Sequence, residues 1–486
     1  MRKRVLVVTV DGWGTNLLGT YGVPICETPS LDHFASHSVV FDRFVCNSMD
    51  PLAILNSMTD GLHPSLTVEK GNSNGADLHQ WIASTNRRSI FITDCRFVSE
   101  TAWADQFSES LLIETPLQTT QLSEDADGQQ NDVENYQAEE YQTVEQESDV
   151  DAWMETGLAQ FIGDALAELA ERQNDEDGLP DLVWLHMSGL TSAWDAPYEY
   201  RLALCDEDDP RPSYAIEPIS FGVDTKTDLD QVFQAMCAAA GQAKLIDHLW
   251  SWIDAFVEQL PERESMAIVL AGVRGYPLGE HSSVGLETDS KGLGSSAGFN
   301  TPHAELVHVP LIIQPGYMPL GYRVRRIAQP TSIRGFLKQW LADLPVFEPA
   351  ESQPAELKPA TESKAEESKS IPSKSIASSV DLNRFELLVD DSQASDSDWV
   401  QSSTYEAIYT TFWAAIFDPL SNQVVELYLM PDDRWQQNNV QNRVPEIVDA
   451  MSDLRMQWLQ WKADSIAQAT TILPQPTPAN CLKQSV

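Results

Sequence analysis

An apolar run, Val5–Val10, ends in Asp11 and Gly12. Open α/β sheets place ligand-binding groups at the carboxyl ends of their strands, so a carboxylate there suits metal binding. It suits a turn or helix cap equally well. Ser48, Asp50 and Ser57 form a second group of chemically capable residues. A hydroxyl attacks an ester only when a base, a metal or a lowered pKa activates it. No such group neighbours them in sequence, so a cap or turn role is the plainer reading. His281 follows Gly279-Glu280 in a loop-like stretch and suits a hydrogen bond to backbone. The chain has no glycine-rich phosphate loop, no H-E-x-x-H and no C-x-x-C.

These residues need a scaffold, and hydrophobic patterning supplies one. Short apolar runs at 5–10, 89–93, 182–186, 267–271 and 309–313 read as buried strands. Leu245, Leu249, Trp252, Ile253, Phe256 and Leu260 recur at helical spacing over 245–260. In Thr28-Pro29-Ser30, the serine reads as the cap of a helical turn. Strands alternating with helices predict a largely parallel sheet covered on both faces. Near the carboxyl end, 404–430 reads as antiparallel strands turning at 418–422, and 444–466 as an amphipathic helix carrying Ile447, Met451, Leu454, Trp458 and Trp461.

Two segments break the pattern. Between Phe97 and Glu171 there is no Lys or Arg, and 123–151 holds eleven acidic residues with few apolar ones. Such a stretch cannot bury a face and is expected to be a disordered insertion. Residues 348–380, rich in Pro, Ser, Ala, Glu and Lys, read as a linker. The expected organisation is a large α/β domain over 1–347, the linker, and a small sheet-plus-helix subdomain over 381–486.

The formal net charge is −42. A polyanion of this size disfavours nucleic acid and anionic membrane surfaces as partners. The six cysteines are scattered and show no metal-ligand spacing, so free thiols are expected. The apolar run after Arg4 is too short for a signal-peptide core. No run approaches the roughly 18 residues of a membrane span. A cytoplasmic location is expected.

Residues 5–64, VLVVTVDGWGTNLLGTYGVPICETPSLDHFASHSVVFDRFVCNSMDPLAILNSMTDGLHP, resemble the opening of the sulfatase branch of the alkaline phosphatase superfamily. There an apolar strand ends in a metal-binding Asp pair, and a Cys/Ser-x-Pro-x-Arg nucleophile precedes an "LTG-HP" turn. Here the pair is Asp11-Gly12 and the nucleophile region is Asn47-Ser48-Met49-Asp50-Pro51. Residues 268–316 resemble the sulfatase segment "TSDHGE-LGEH…LVRVPLII-PG" through Leu278–His281 and Val309–Ile313. In that register, the family's second metal-binding pair falls on Val273-Arg274. Residues 181–201 resemble the strand ending in "DPH-PWDAP", with Thr191 at the His position. Residues 87–97 resemble the strand ending in "GKWH", with Asp94 at the catalytic Lys position and Arg96 at the His position. Residues 424–459 resemble the family's C-terminal segment.

The resemblance implies an alkaline-phosphatase-like three-layer α/β/α sandwich with a small C-terminal α+β subdomain. It implies an ancestral sulfate-ester hydrolase using calcium and a formylglycine. The residues themselves imply loss of that chemistry. Asp50, Asp94, Thr191 and His281 are degenerate positions. Of the expected calcium ligands only Asp11 remains, because Gly12 and Val273 offer no side-chain oxygen and Arg274 is a permanent cation. No cofactor is expected. Arg274 either turns outward on a loop or neutralises Asp11 in place of the metal. The leading expectation is a non-catalytic homologue with a binding or regulatory role, for which the candidate partner is another protein. The competing expectation is a sulfuric or phosphoric ester hydrolase with a rearranged site.

Overall fold

The computed structural model describes residues 2–22, 26–67, 78–115, 152–286, 301–316, 321–344, 347–348, 386–387, 397–401 and 405–468. The acidic insertion at 123–151, the linker at 348–380 apart from Glu348, and Cys481 lie outside the described residues.

In chain order the strands are β1 (Arg4–Val10), β2 (Val39–Val45), β3 (Ser89–Thr93), β4 (Glu109–Leu112), β5 (Leu182–Met187) and β6 (Phe221–Gly222). Then come β7 (Met266–Gly272), β8 (Ser283–Val284), β9 (His308–Val309), β10 (Leu311–Pro315) and β11 (Tyr322–Ala328). The last are β12 (Phe347–Glu348), β13 (Glu386–Leu387), β14 (Ser397–Gln401), β15 (Glu406–Thr410), β16 (Trp413–Asp418) and β17 (Gln423–Leu429).

Among the described residues the central sheet has nine strands, in the order β11-β2-β10-β7-β1-β5-β3-β4, with β9 paired to β2. β1 lies between β5 and β7 and runs parallel to both. Its residues from Val5 to Val10 are all buried, which explains why the run carries no polar alternation: both faces are covered. The parallel expectation holds from β7 through β4. It fails at β10, which is antiparallel to both β7 and β2. The single strand expected at 309–313 is also two strands, broken at Pro310. Proline has no N–H to give to a ladder, and here its carbonyl accepts from Gly272 N at 2.9 Å instead.

One long helix, Leu229–Glu258, packs with the helices Pro29–Ser36 and Gly157–Asn174 in one outer layer. The stripe expected over 245–260 falls on its C-terminal half as far as Phe256, and Leu260 lies past the helix end. Helices Pro51–Asp60 and Pro330–Leu341 pack together in the other layer. Ser30 is not a cap. Pro29 takes the first helical position, so Ser30 already lies inside the first turn. The free N–H groups of Ser30 and Leu31 donate instead to Asp247 of the long helix, at 3.3 and 2.8 Å.

β14–β17 form a four-stranded antiparallel sheet, with the expected turn between Asp418 and Gln423. One face of this sheet joins the main core through Ala407, Tyr409, Ala414 and Ile416. The other carries the helix Pro445–Gln468 through Ile447, Met451, Leu454 and Trp458. His63 bridges to this subdomain: its Nε2 lies 2.7 Å from Trp399 O, and its ring stacks on Trp399 at 5.8 Å. No described helix is long and apolar enough to cross a membrane.

Candidate functional site

The ladder registers align the carboxyl ends of β7, β1, β5 and β3. Val10 is level with Gly272 and Met187, and Thr93 with His186. The residues that follow these strands therefore converge: Val273 and Arg274, Asp11 and Gly12, Ser188, and Asp94. This is the edge where the sequence placed its candidates.

The backbone around Asp11 is held from both sides. Asp11 N donates to Met187 O at 3.0 Å, and Leu190 N donates to Asp11 O at 3.1 Å. Val273 N donates to Val10 O at 2.9 Å, and Trp13 N to Arg274 O at 2.8 Å. This pinning brings the Arg274 side chain onto the Asp11 carboxylate. Nε lies 2.9 Å from Oδ1 and Nη2 lies 3.1 Å from Oδ2. Gly12 N adds a contact to Oδ1 at 2.9 Å. The inward alternative for Arg274 is the one realised, and the outward loop position is not.

Calcium does not fit this arrangement. The ion takes six to eight oxygens at about 2.3–2.6 Å. Both Asp11 oxygens already face a guanidinium, and Val273 is apolar and fully buried. Position 12 does not easily take a carboxylate side chain. Its φ is +70°, and a Cβ would lie 3.1 Å from both Leu190 Cβ and Thr191 Cγ2.

The other expected positions divide by role. Asp94 is buried and accepts from Ser188 N at 2.8 Å and Ser188 Oγ at 2.5 Å. Burial pushes its pKa up to about 6, against the opposing pull of the Ser188 hydrogen bonds. Thr191 Oγ1 donates to Ser188 O at 2.7 Å and closes a local turn. Asp50 caps the helix Pro51–Asp60, accepting from Leu52 N at 2.9 Å. Ser57 Oγ donates to Leu62 O at 2.9 Å, and Ser48 Oγ accepts from Asp50 N at 3.1 Å. The cap-and-turn reading of this region is the one the structure shows. Arg96, itself exposed, opens a short helix and pairs with Glu100 and Glu114.

His281 does bond backbone, as its loop position suggested: Nε2 lies 2.8 Å from Gln436 O. Sequence reasoning missed what it gathers. Nδ1 is 2.8 Å from Glu305 Oε1, and the ring stacks on His303 at 3.6 Å with planes 10° apart. Burial pulls the His281 pKa down, but Glu305 outweighs it and the group is pushed up to about 9. His303 and Glu305 stand only two residues apart in N-T-P-H-A-E, a spacing that was available as a signal. His186, beneath Asp11, contacts Thr9 Oγ1 at 3.0 Å, and burial pulls its pKa down to about 4.

A separate cavity of about 540 Å³ lies between the main domain and the C-terminal sheet. Arg43, Arg323, Arg325 and Arg434 line it, with Tyr21 and Trp435. Arg323 pairs with Asp42 at 2.7 Å, and Arg434 donates to Tyr21 O at 2.7 Å.

The fold matches solved structures along nearly its whole length. A phosphonate monoester hydrolase of Agrobacterium radiobacter aligns with a TM-score of 0.57 at 14% identity, covering 96% of each chain. A 2-O GAG sulfatase aligns with a TM-score of 0.57 at 14% identity, covering 96% of this chain and 94% of the other. A protein in the alkaline phosphatase superfamily from Vibrio parahaemolyticus aligns with a TM-score of 0.50 at 10% identity, covering 97% and 88%. No family model and no curated protein matches the sequence. At these identities the likeness establishes the fold: an alkaline-phosphatase-like sulfatase sandwich with a C-terminal antiparallel subdomain.

Proposed function

We propose that this chain is a non-catalytic sulfatase-like protein with a binding or regulatory role. The observation that carries the reading is the Arg274 guanidinium on both oxygens of Asp11. A fixed cation at the end of β1 satisfies the carboxylate and leaves it nothing to offer a divalent ion. Fold alone does not imply activity, and the nucleophile region contributes a helix cap rather than an activated hydroxyl. The arginine-lined cavity supports a binding role, since it concentrates positive charge in a chain of net charge −42.

The test is a hydrolysis assay of the purified chain with aryl sulfates and phosphonate monoesters, with and without calcium. No turnover above buffer is expected, and no stoichiometric calcium binding by titration calorimetry. Turnover that disappears in Asp11→Ala would overturn the proposal and favour an ester hydrolase with a rearranged site.

A further inference from the structure

We infer that His281, His303 and Glu305 form a binding site for a divalent transition ion of the Zn²⁺ class, with both Nδ1 atoms and one carboxylate oxygen as ligands. The candidate ligand atoms all lie within 4.8 Å of one another. Glu305 Oε1 is 2.8 Å from His281 Nδ1 and 3.9 Å from His303 Nδ1. A tetrahedral zinc ion holds such ligands about 3.4 Å apart. The two observed separations straddle that value, so small side-chain rotations suffice.

The outer contacts match what metal-binding imidazoles require. A histidine ligand is oriented by a hydrogen bond from its other ring nitrogen to a carbonyl or carboxylate. His281 Nε2 faces Gln436 O at 2.8 Å, an atom that can only accept. His303 Nε2 faces Glu426 Oε2 at 2.7 Å, and Tyr428 OH holds the same oxygen at 2.8 Å. Gln436 serves twice, since its side-chain Oε1 also accepts from Ala304 N at 2.7 Å, between His303 and Glu305.

Backbone strain points the same way. His281 and Gln436 both hold left-handed conformations, with φ of 45° and 56°. Such conformations are unfavourable in a residue other than glycine and gather at functional sites. Here they belong to the two partners of one hydrogen bond. The backbone of Glu305 is fixed as well: a Cβ on Gly275 would lie 1.9 Å from Glu305 O, so only glycine permits the approach. Two imidazoles and a carboxylate, without a thiolate, suit zinc and its first-row neighbours and not calcium. Three protein ligands leave a fourth position for water or an exogenous ligand. The site uses His281, His303 and Glu305 with second contacts from Glu426, Tyr428 and Gln436, and none of it depends on Asp11 or on the non-catalytic reading.

The experiment uses the full chain freed of metal with a chelator. Zn²⁺ is titrated by calorimetry, and Co²⁺ is followed by its visible ligand-field bands. One equivalent is expected, with bands typical of nitrogen and oxygen ligands and no thiolate charge transfer. His303→Ala should abolish stoichiometric binding. Glu305→Gln, nearly isosteric, tests the site without leaving a cavity and should weaken binding at least tenfold. Glu426→Gln should weaken it tenfold to a hundredfold by loosening His303. Absence of binding by the parent chain, or binding unchanged in both His303→Ala and Glu305→Gln, would overturn the inference. Calcium binding that survives His303→Ala would instead count against the proposed function.

Discussion

Arg274 and Asp11 meet through two parallel contacts, Nε to Oδ1 at 2.9 Å and Nη2 to Oδ2 at 3.1 Å, with both side chains almost wholly buried. Removing one partner from such a pair strands the other charge in a low-dielectric site, at a cost of about 3–5 kcal/mol. Arg274→Ala and Asp11→Ala are each expected to lose stability on that scale. The double variant should lose clearly less than the sum. Urea melts of the three variants measure the coupling. Strict additivity would show that the two residues do not act as a pair.

An acid introduced beside Asp11 should not create calcium binding. Gly12→Asp places a side chain at φ +70° and within 3.1 Å of Leu190 and Thr191. Arg274 still occupies the Asp11 oxygens. The expected outcome is a destabilised protein with no calcium-dependent rise in melting temperature. A clear calcium-dependent rise would mean that the ion displaces Arg274.

Asp94 makes stability depend on pH in a defined direction. Its folded pKa is about 6, raised from 3.8 chiefly by burial. The folded state thus binds this proton more tightly than the unfolded chain. The resulting stability is fully present below about pH 4 and is lost as pH rises through 6. Two pKa units correspond to on the order of 3 kcal/mol. Asp94→Asn, which resembles the protonated form, should match the parent near pH 4 and exceed it near pH 8. Chemical melts across that range test the sign, and a difference that does not vary with pH would contradict it.

Asp50 is expected to act as a helix cap. Its side chain accepts from Leu52 N, and Pro51 occupies the first helical position. Asp50→Ala should cost about 1 kcal/mol, while Asp50→Ser or Asp50→Asn should recover most of it. A thermal-melt series checks this order. A loss of several kcal/mol, or no rescue by serine, would require another role for the carboxylate.

Legibility in the sequence followed the range of the interactions. The uninterrupted apolar run before Asp11 and the 3.6-residue stripe of 444–466 are local patterns, and local patterns suffice to specify buried strands and amphipathic helices. The reversal of β10 was not legible, because strand direction depends on which neighbours a strand meets rather than on its own residues. Pro310 did announce a break, but an apolar run on both sides concealed it. Ser30 misled for a related reason: the group that satisfies the N-terminus of its helix is Asp247, more than two hundred positions away.

The sequence by itself determined that Asp11 would stand at the end of a buried strand and that Gly12, Val273 and Arg274 could offer it no side-chain oxygen as a neighbour. Side-chain type decides what a position is able to ligate, and no folding changes that. Only the tertiary structure decided that Arg274 turns inward onto Asp11, since a loop residue's direction is set by the strands that pin its backbone. Only the tertiary structure brought His281, His303, Glu305 and Gln436 together. Their proximity arises from a left-handed turn and a contact with the C-terminal segment, and neither leaves a periodic signature in the chain.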